Sequence, residues 1–214
     1  MERVCYVVCA WHGEDAVIRP APGDFVIAAD GGYAALSALG IRPDLVVGDF
    51  DSLGYVPEGE DIECHPVMKD DTDAMLAVRL GLERGYRNFV LVGAIGGRLD
   101  HTIANLQTLL FLAEHDAVGL LYGDGTAATA VRNGSVTLTG SGVVSVFCFG
   151  PPATGVYERG MLYGLDNATV TSAFPIGVSN EFTDGPGTIS VEDGALLVLW
   201  STDRESLPDI VKMR

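Results

Sequence analysis

Basic residues are scarce in this chain of 214 residues. It has 13 Lys and Arg against 29 Asp and Glu, which gives a formal net charge of −16 at pH 7. Proteins recognise nucleic acids and anionic membranes through positive potential, so this composition argues against both as partners. A phosphate ligand stays possible, because a metal ion or backbone amides can hold one locally.

Paired cysteines and long apolar runs are also missing. Cys5, Cys9, Cys64 and Cys148 form no C-x-x-C pair, and we interpret them mainly as core thiols in a reducing compartment. No stretch approaches the ~18 apolar residues of a membrane-spanning helix. The opening MERVCYVVCA lacks a small-residue cleavage pattern and indicates a first strand rather than a signal peptide. We therefore expect a cytoplasmic protein.

Several common nucleotide and hydrolase motifs do not occur. The sequence contains no G-x-x-x-x-G-K-[ST], no G-x-G-x-x-G and no G-x-S-x-G. Hydride transfer and acyl transfer therefore lack their usual signals. From the residues alone, phosphate chemistry on a nucleotide held by a different set of loops is the remaining expectation.

Short apolar runs alternate with helical patterns up to about residue 122. Runs such as DFVIAAD and FVLVG indicate buried strands, and this alternation predicts an α/β fold: a mostly parallel sheet with helices on both faces. The segments TDAMLAVRLGLERG and HTIANLQTLLFLAEH indicate two of the helices. Their expected buried stripes are Met75, Val78 and Leu82 in the first, and Ile103, Leu106 and Leu110 in the second.

The helical patterns end near residue 123, and turn pairs such as Asn133-Gly134 and Asp193-Gly194 separate short β-rich segments. Strands at this spacing suggest an all-β sandwich or a small barrel. We therefore expect two domains, residues 1–123 and residues 124–214, with the boundary near YGDGTA.

Four polar clusters are expected at the strand edge: AADGG, GDFDS and GGRLDH follow predicted strands, and KDDTD begins a predicted helix. Each has an ordinary explanation, since Asp and Thr cap helices and paired glycines form tight turns. Their conjunction favours a ligand site, because the carboxyl ends of the strands in such a sheet share one edge. In an extended segment Asp49 and Asp51 point the same way and repel each other unless a cation or a proton lies between them. The sequence therefore predicts a Mg²⁺ site with bound phosphates.

The segments ADGG, LGIRPDLVVGDFDSL, KDDTDAMLAV and GGRLDHTIANLQTLL, in this order and spacing, resemble the thiamine pyrophosphokinase family. GMLYGLDNATV and GVSNEF are similar to that family's C-terminal segments. The resemblance implies an α/β nucleotide-binding domain, a β-sandwich that binds thiamine, and a homodimer. It also implies Mg²⁺-dependent transfer of pyrophosphate from ATP to the hydroxyl of thiamine, which gives thiamine diphosphate and AMP.

The resemblance also implies roles for individual residues. The catalytic and metal-binding residues would be Asp49, Asp51, Asp73 and Asp100. The nucleotide and phosphate contacts would be Asp30, Gly31, Gly32, Lys69, Thr72, Arg98 and Asn105. Ser179 and Asn180 would contact the pyrimidine of thiamine across the dimer interface.

The chain departs from the family pattern in its first loop, where Trp11 and His12 replace a glycine-rich turn. No aromatic partner for thiamine is evident; the candidates are Tyr157, Tyr163, Phe174 and Phe182. Two rival functions remain at this point. One is a pyrophosphokinase acting on a pterin alcohol, and the other is a non-catalytic sensor that binds a nucleotide or thiamine.

Overall fold

The computed structural model describes residues 3–10, 18–48 and 71–202. The chain forms two compact units. The first contains the described residues up to Thr108 together with Leu121–Asp124, and the second contains Leu109–Leu120 and the described residues from Gly125 onward.

From β2 onward, the first eight elements alternate between strand and helix. They are β1 (Val4–Val8), β2 (Phe25–Ala29), α1 (Gly32–Ala38), β3 (Leu45–Val47), α2 (Asp73–Glu83), β4 (Asn88–Val92), α3 (Leu99–Glu114) and β5 (Val118–Gly123). Strands β1, β2 and β4 are buried over nearly all of their residues, which agrees with the continuous apolar runs read from the sequence.

Strands of the first unit pair in the order β3-β2-β1-β4, and the three pairings are parallel. Val8 near the end of β1 is opposite Ala28 of β2 and Val92 of β4, and Ala29 of β2 is opposite Val47 of β3. The carboxyl ends of the four strands are therefore in register at one edge of the sheet.

Helix α2 buries part of the predicted stripe together with several small residues. Of that stripe only Val78 is fully buried, whereas Met75 and Leu82 are half-buried. The other buried residues of the helix are Leu80 and the small residues Ala74, Ala77 and Gly81. A β-carbon at Gly81 would lie 2.6 Å from the Phe89 ring and 2.9 Å from Cys5 Sγ. Small side chains thus let the helix approach the sheet closely, a requirement that hydrophobic periodicity alone does not reveal.

The predicted stripe of α3 is also wrong. Ile103 is 42% exposed, and Leu106 and Leu110 are half-buried. The buried positions are Asn105, Thr108, Leu109 and Leu112. Two of these are polar and hydrogen-bonded: Asn105 to Ala94 O, and Thr108 to Ala104 O one turn back. Satisfied polar side chains can therefore occupy a buried helix face, and an apolar pattern overlooks them.

The second unit is β-rich. Its further strands are β6 (Thr126–Leu138), β7 (Val143–Cys148), β8 (Ala153–Arg159), β9 (Ala168–Val170), β10 (Gly177–Glu181) and β11 (Gly187–Ser201). They pair antiparallel, with β11 between β6 and β7, β10 on the far side of β7, and β8 between β11 and β9. No helix in the described part of the chain is long and apolar enough to cross a membrane.

Strand β11 changes its partner along its length. Its residues Leu196–Trp200 pair with β7, whereas Thr188–Asp193 pair with β8. Between them, the register with β6 shifts from Val191 to Ala195. Gly194 lies in this irregularity with φ +111°, and its N–H donates to Asn133 Oδ1 at 2.9 Å. Glycine suits the position because L-residues rarely adopt this φ.

We expect Gly81→Ala to destabilise the first unit. Alanine gains about 1 kcal/mol of helix propensity over glycine, but overpacking a well-packed core costs about 1–3 kcal/mol. The net effect should be a loss of roughly 1 kcal/mol, measured by urea denaturation. Gly134→Ala is the control, because its nearest neighbour would be Arg132 O at 3.5 Å. A stabilised Gly81→Ala variant would contradict the close approach of α2 to β4.

Candidate active site

The turn after β2 lies against the end of β1. A β-carbon at Gly32 would lie 1.8 Å from Val8 O, and one at Gly31 would lie 2.8 Å from Ala10 Cβ. Both residues of the predicted Gly31-Gly32 pair are therefore required by close packing of the backbone. Helix α1 begins here, at the carboxyl edge of the parallel strands.

Asp30 occupies the first position of this turn, with φ +47°. Its N–H donates to Val47 O at 2.8 Å, which joins the turn to the end of β3. Gly48 follows directly, and a β-carbon there would lie 3.1 Å from Asp30 Cα. The ends of β2 and β3 therefore meet at Asp30, as the shared strand edge predicts.

Helix α2 begins with Thr72 and Asp73. Thr72 is the N-cap, and its hydroxyl oxygen accepts a hydrogen bond from Met75 N at 3.2 Å. Asp73 is in the first turn, where the helix dipole favours a negative charge. Burial, and then the Asp73 charge, raise the pKa of the Cys9 thiol to about 12. The electrostatic influence of Asp73 therefore extends to the end of β1.

Arg98 and Asp100 form an exposed ion pair at the start of α3. Arg98 donates to both carboxylate oxygens of Asp100, at 2.6 and 3.1 Å. This hydrogen-bonded guanidinium, together with the N–H of His101, lowers the pKa of Asp100 to about 2. Asp100 is therefore a carboxylate at neutral pH, able to accept hydrogen bonds or to bind a cation.

Asn105 is one turn further along α3 and is buried. Its side-chain amide donates to Ala94 O at 2.8 Å. Ala94 is two residues after Val92, the last residue of β4. Val92 O in turn accepts a hydrogen bond from Cys9 N, just after β1, at 2.9 Å. Asn105 therefore fixes the connection between β4 and α3, whatever it contributes to a ligand.

Three predicted site residues, Asp49, Asp51 and Lys69, lie outside the described residues, and so do Trp11 and His12 of the first loop. Among the described residues, no three His, Cys, Asp or Glu side chains come together as a metal site. Asp73 and Asp100 are the two predicted metal ligands within the described ranges, and both start helices of the first unit. Carboxylate oxygen is the ligand type that Mg²⁺ prefers.

Ser179 and Asn180 lie in strand β10 of the second unit. Ser179 is exposed with φ +59°, and its N–H donates to Ser145 Oγ at 3.1 Å. Asn180 is only 5% exposed. Its Oδ1 accepts from the N–H groups of Tyr163 and Glu181, both at 2.9 Å. Its amide is thus used in hydrogen bonds within the protein, whereas the Ser179 side chain faces solvent.

A buried carboxyl group lies beside Asn180. Glu158 of β8 is 1% exposed, and its Oε2 accepts from Asn180 Nδ2 at 2.5 Å. The same nitrogen donates to Tyr163 O at 2.5 Å. Burial raises the pKa of Glu158, and the hydrogen bond from Asn180 lowers it by a smaller amount. Sequence analysis missed this residue, since a Glu flanked by Tyr157 and Arg159 looks like an exposed strand position.

The loop after β8 presents exposed apolar side chains next to Asn180. Leu162 N donates to Glu181 O at 2.9 Å, so the loop runs beside β10. Arg159 holds the far end of the loop through Leu165 O at 2.6 Å and Asp166 Oδ1 at 2.5 Å. Leu162 and Tyr163 are 54% and 67% exposed. Of the four aromatic candidates, Tyr163 is therefore the one whose main chain is bonded to Asn180.

We expect Arg98→Gln to raise the pKa of Asp100 from about 2 toward its ordinary value of 3.8. A neutral amide stabilises the carboxylate less than a guanidinium does, so the proton binds more readily. A ¹³C NMR titration of the Asp100 carboxyl group measures the change. Arg79→Gln removes a different ion pair, with Asp71, and should leave Asp100 unchanged. An unaltered Asp100 titration in Arg98→Gln would contradict the pairing.

Comparison with known proteins assigns the family. Residues 21–119 match the model of the thiamin pyrophosphokinase catalytic domain, and residues 136–196 match that of the thiamin pyrophosphokinase vitamin B1 binding domain. Thiamine pyrophosphokinase from Bacillus subtilis is 27% identical over 186 residues, covering 83% of this chain and 87% of that protein.

Solved structures give the same result for the fold. The crystal structure of thiamine pyrophosphokinase from Bacillus subtilis has a TM-score of 0.81 at 24% identity, covering 94% of this chain and 100% of that one. A thiamin pyrophosphokinase family protein from Enterococcus faecalis has a TM-score of 0.77 at 27% identity, with coverage of 94% and 100%. The chain belongs to the thiamine pyrophosphokinase family, whose activity is the transfer of pyrophosphate from ATP to thiamine.

Proposed function

We propose that the chain carries out this transfer with Mg²⁺ at the carboxyl edge of the parallel strands. The observation that carries the proposal is the position of Asp73 and Asp100 at the starts of α2 and α3, with Asp30 before α1 as a nucleotide contact. In open α/β sheets, ligands bind beyond the carboxyl ends of the strands, where helices begin. Proteins hold Mg²⁺ with one or two carboxylates plus substrate phosphates, and these residues supply that chemistry.

The nucleotide would lie along this edge. Gly31 and Gly32 would contact the nucleotide through the tight turn that they form against the end of β1, and Thr72 with the start of α2 offers N–H groups suited to phosphate oxygens. Lys69 and Arg98 would supply positive charge, and Arg98 would have to exchange Asp100 for a phosphate. Asn105 would support the segment before α3 through its bond to Ala94 O.

The acidic residues would carry the metal and the proton. We assign Asp49, Asp51, Asp73 and Asp100 as the metal-binding and catalytic group, since oxygen donors suit Mg²⁺. When bound, Mg²⁺ takes up charge on the phosphate oxygens. The thiamine hydroxyl attacks the β-phosphorus in line and AMP leaves; an ionised Asp100 is suited to accept the hydroxyl proton. Pairing with Arg98 holds the pKa of Asp100 at about 2, and moving Arg98 to the phosphates would raise that pKa and make the carboxylate a stronger base.

Thiamine would bind against β10. Ser179 is exposed there. Tyr163 is also exposed, and its main chain is hydrogen-bonded to Asn180, the residue that follows Ser179. Aromatic faces attract cations, and thiamine carries a positively charged thiazolium ring. Asn180 would act through its internal hydrogen bonds, which hold both Tyr163 and the main chain of β10.

The finer features of the fold follow the same assignment. We propose that residues 1–123 form the α/β nucleotide-binding domain, with a mostly parallel sheet covered on both faces, and that residues 124–214 form a β-sandwich. The change of partner along β11, from β7 to β8, supports a strand shared between two layers. Cys5, Cys9 and Cys148 are free thiols, which suits the reducing cytoplasm.

A homodimer is part of the proposal. Within the described residues β10 has a strand neighbour, β7, on one side only. Exposed apolar side chains are concentrated in this region: Val143, Phe149, Leu162, Tyr163, Phe174, Ile176 and Val178. Phe149 and Phe174 also line a cavity of about 330 Å³. An apolar surface of this kind around an edge strand favours association, and a second copy would bring another acceptor segment to the interface.

Incubation with ATP, Mg²⁺ and thiamine should give thiamine diphosphate and AMP, detected by mass spectrometry, with no product when Mg²⁺ is omitted. We expect Asp51→Asn to abolish turnover while the circular dichroism spectrum stays unchanged, because removing one of two neighbouring like charges does not oppose folding. Asp116→Asn, an exposed position with φ +53° that asparagine tolerates, is the matched control.

Three outcomes would contradict the proposal. Near-normal turnover of Asp51→Asn would refute the assignment of Asp51 as a metal ligand. Bound thiamine without any product would favour the sensor. Neither binding nor product would point to another acceptor, with a pterin alcohol tested first.

Val178→Lys should shift the protein from dimer to monomer in sedimentation equilibrium, since it buries a charge if β10 lies in the interface. Leu39→Lys is the matched control, because Leu39 and Val178 are both 43% exposed and Leu39 follows α1. A monomeric wild type, or a dimer that tolerates Val178→Lys, would refute this interface.

A further inference from the structure

We propose that Glu158 is a positioning residue for the acceptor side of the reaction: its buried carboxyl group orients the Asn180 amide, which aligns the Tyr163 loop with strand β10. The inference rests on the proposed binding of thiamine at Ser179 and Tyr163, with Asn180 acting through its internal hydrogen bonds. It goes further by assigning a role to a carboxyl group that has no place in the metal centre or in the nucleotide contacts.

Glu158 is an unusual residue to bury. It is 1% exposed, lies in β8 opposite Ile189, and has no basic side chain bonded to its carboxyl group in the described part of the protein. Its Oε1 is buried and has no hydrogen-bond partner among the described residues. A buried polar atom without a partner costs free energy of folding, so an apolar side chain of similar size would serve packing better.

The position of Glu158 provides a reason to retain it. Asn180 Nδ2 has two oxygen acceptors, Glu158 Oε2 and Tyr163 O, both at 2.5 Å. The Glu158 contact fixes which end of the amide faces β8, and so directs Oδ1 toward the N–H groups of Tyr163 and Glu181. Without that acceptor the two N–H groups of the amide share one oxygen acceptor among the described residues, Tyr163 O, so the orientation of the amide is held less firmly.

The Asn180 amide in turn holds two pieces of backbone together. It bonds both the N–H and the C=O of Tyr163, and the N–H of Glu181. Glu158 N also donates to Leu165 O at 3.1 Å, so the same residue binds the end of the loop through its main chain. Ser179 lies next to Asn180 with φ +59°. A rotation of the amide would therefore disturb the exposed Tyr163 ring and the Ser179 hydroxyl together.

Steady-state kinetics of Glu158→Leu and Glu158→Gln test the inference. Leucine removes the acceptor, and we expect the KM for thiamine to rise about tenfold, the scale of one lost hydrogen bond. The KM for ATP should stay within about twofold, because the change is confined to the acceptor segment. Glutamine keeps an acceptor oxygen for Asn180, so Glu158→Gln should restore the thiamine KM to within about twofold of wild type.

Thermal unfolding separates positioning from plain structural support. Leucine removes the free-energy cost of burying a carboxyl group, so the melting temperature of Glu158→Leu should equal or exceed that of wild type. Glu192→Leu is the matched control, an exposed Glu to Leu change on β11, and should alter neither KM. A thiamine KM within about twofold of wild type in Glu158→Leu would overturn the inference. A lower kcat together with higher KM values for both substrates and a lower melting temperature would also overturn it, because that combination indicates only a structural role.

Two further variants keep the test decisive. If Glu158→Leu does not fold, Glu158→Asp shortens the side chain by one methylene group and should raise the thiamine KM selectively; an unchanged KM would overturn the inference. Ser179→Ala tests the proposed thiamine site separately. A raised thiamine KM in Ser179→Ala with a normal value in the Glu158 variants would refute the positioning role alone. Normal values in all of these variants would refute the thiamine site as well.

Discussion

The close approach of helix α1 to strand β1 is the constraint on which the first unit depends. Gly32 lies so near Val8 O that the backbone has no room for a side chain there. This contact sets where α1 begins, and the bond from Asp30 N to Val47 O joins the same turn to β3. Because the strands are parallel and in register, α1, α2 and α3 all start at the edge of the sheet where β1, β2 and β4 end. A polar site at that edge follows directly from the fold.

The second unit solves a different problem, which is to hold an exposed loop in one conformation. The buried Asn180 amide bonds the main chain of Tyr163, and the buried Glu158 carboxyl group bonds that amide. The exposed residues at the surface, Tyr163 and Ser179, are flanked by these buried ones. Buried polar groups that are bonded in this way favour a single arrangement over alternatives, at some cost in stability.

Sequence reasoning succeeded where a pattern is local. Strands such as Phe25–Ala29 and Asn88–Val92 were visible as apolar runs, and the family was visible in motifs of contiguous residues such as GGRLDH. It failed for the buried faces of α2 and α3. There the decisive residues are small, like Gly81, or polar and satisfied, like Asn105, and neither type stands out in a hydrophobic pattern.

The sequence by itself determined the alternation of elements, the acidic character, the order of the polar clusters and the family. All of these depend on residue type and on short spacing along the chain. Only the tertiary structure decided that Glu158 and Asn180, 22 positions apart, share a hydrogen bond, and that Tyr163 is the aromatic candidate whose main chain is bonded to Asn180. Such contacts depend on which strands become neighbours, and that is set by the packing of the whole unit rather than by any local segment.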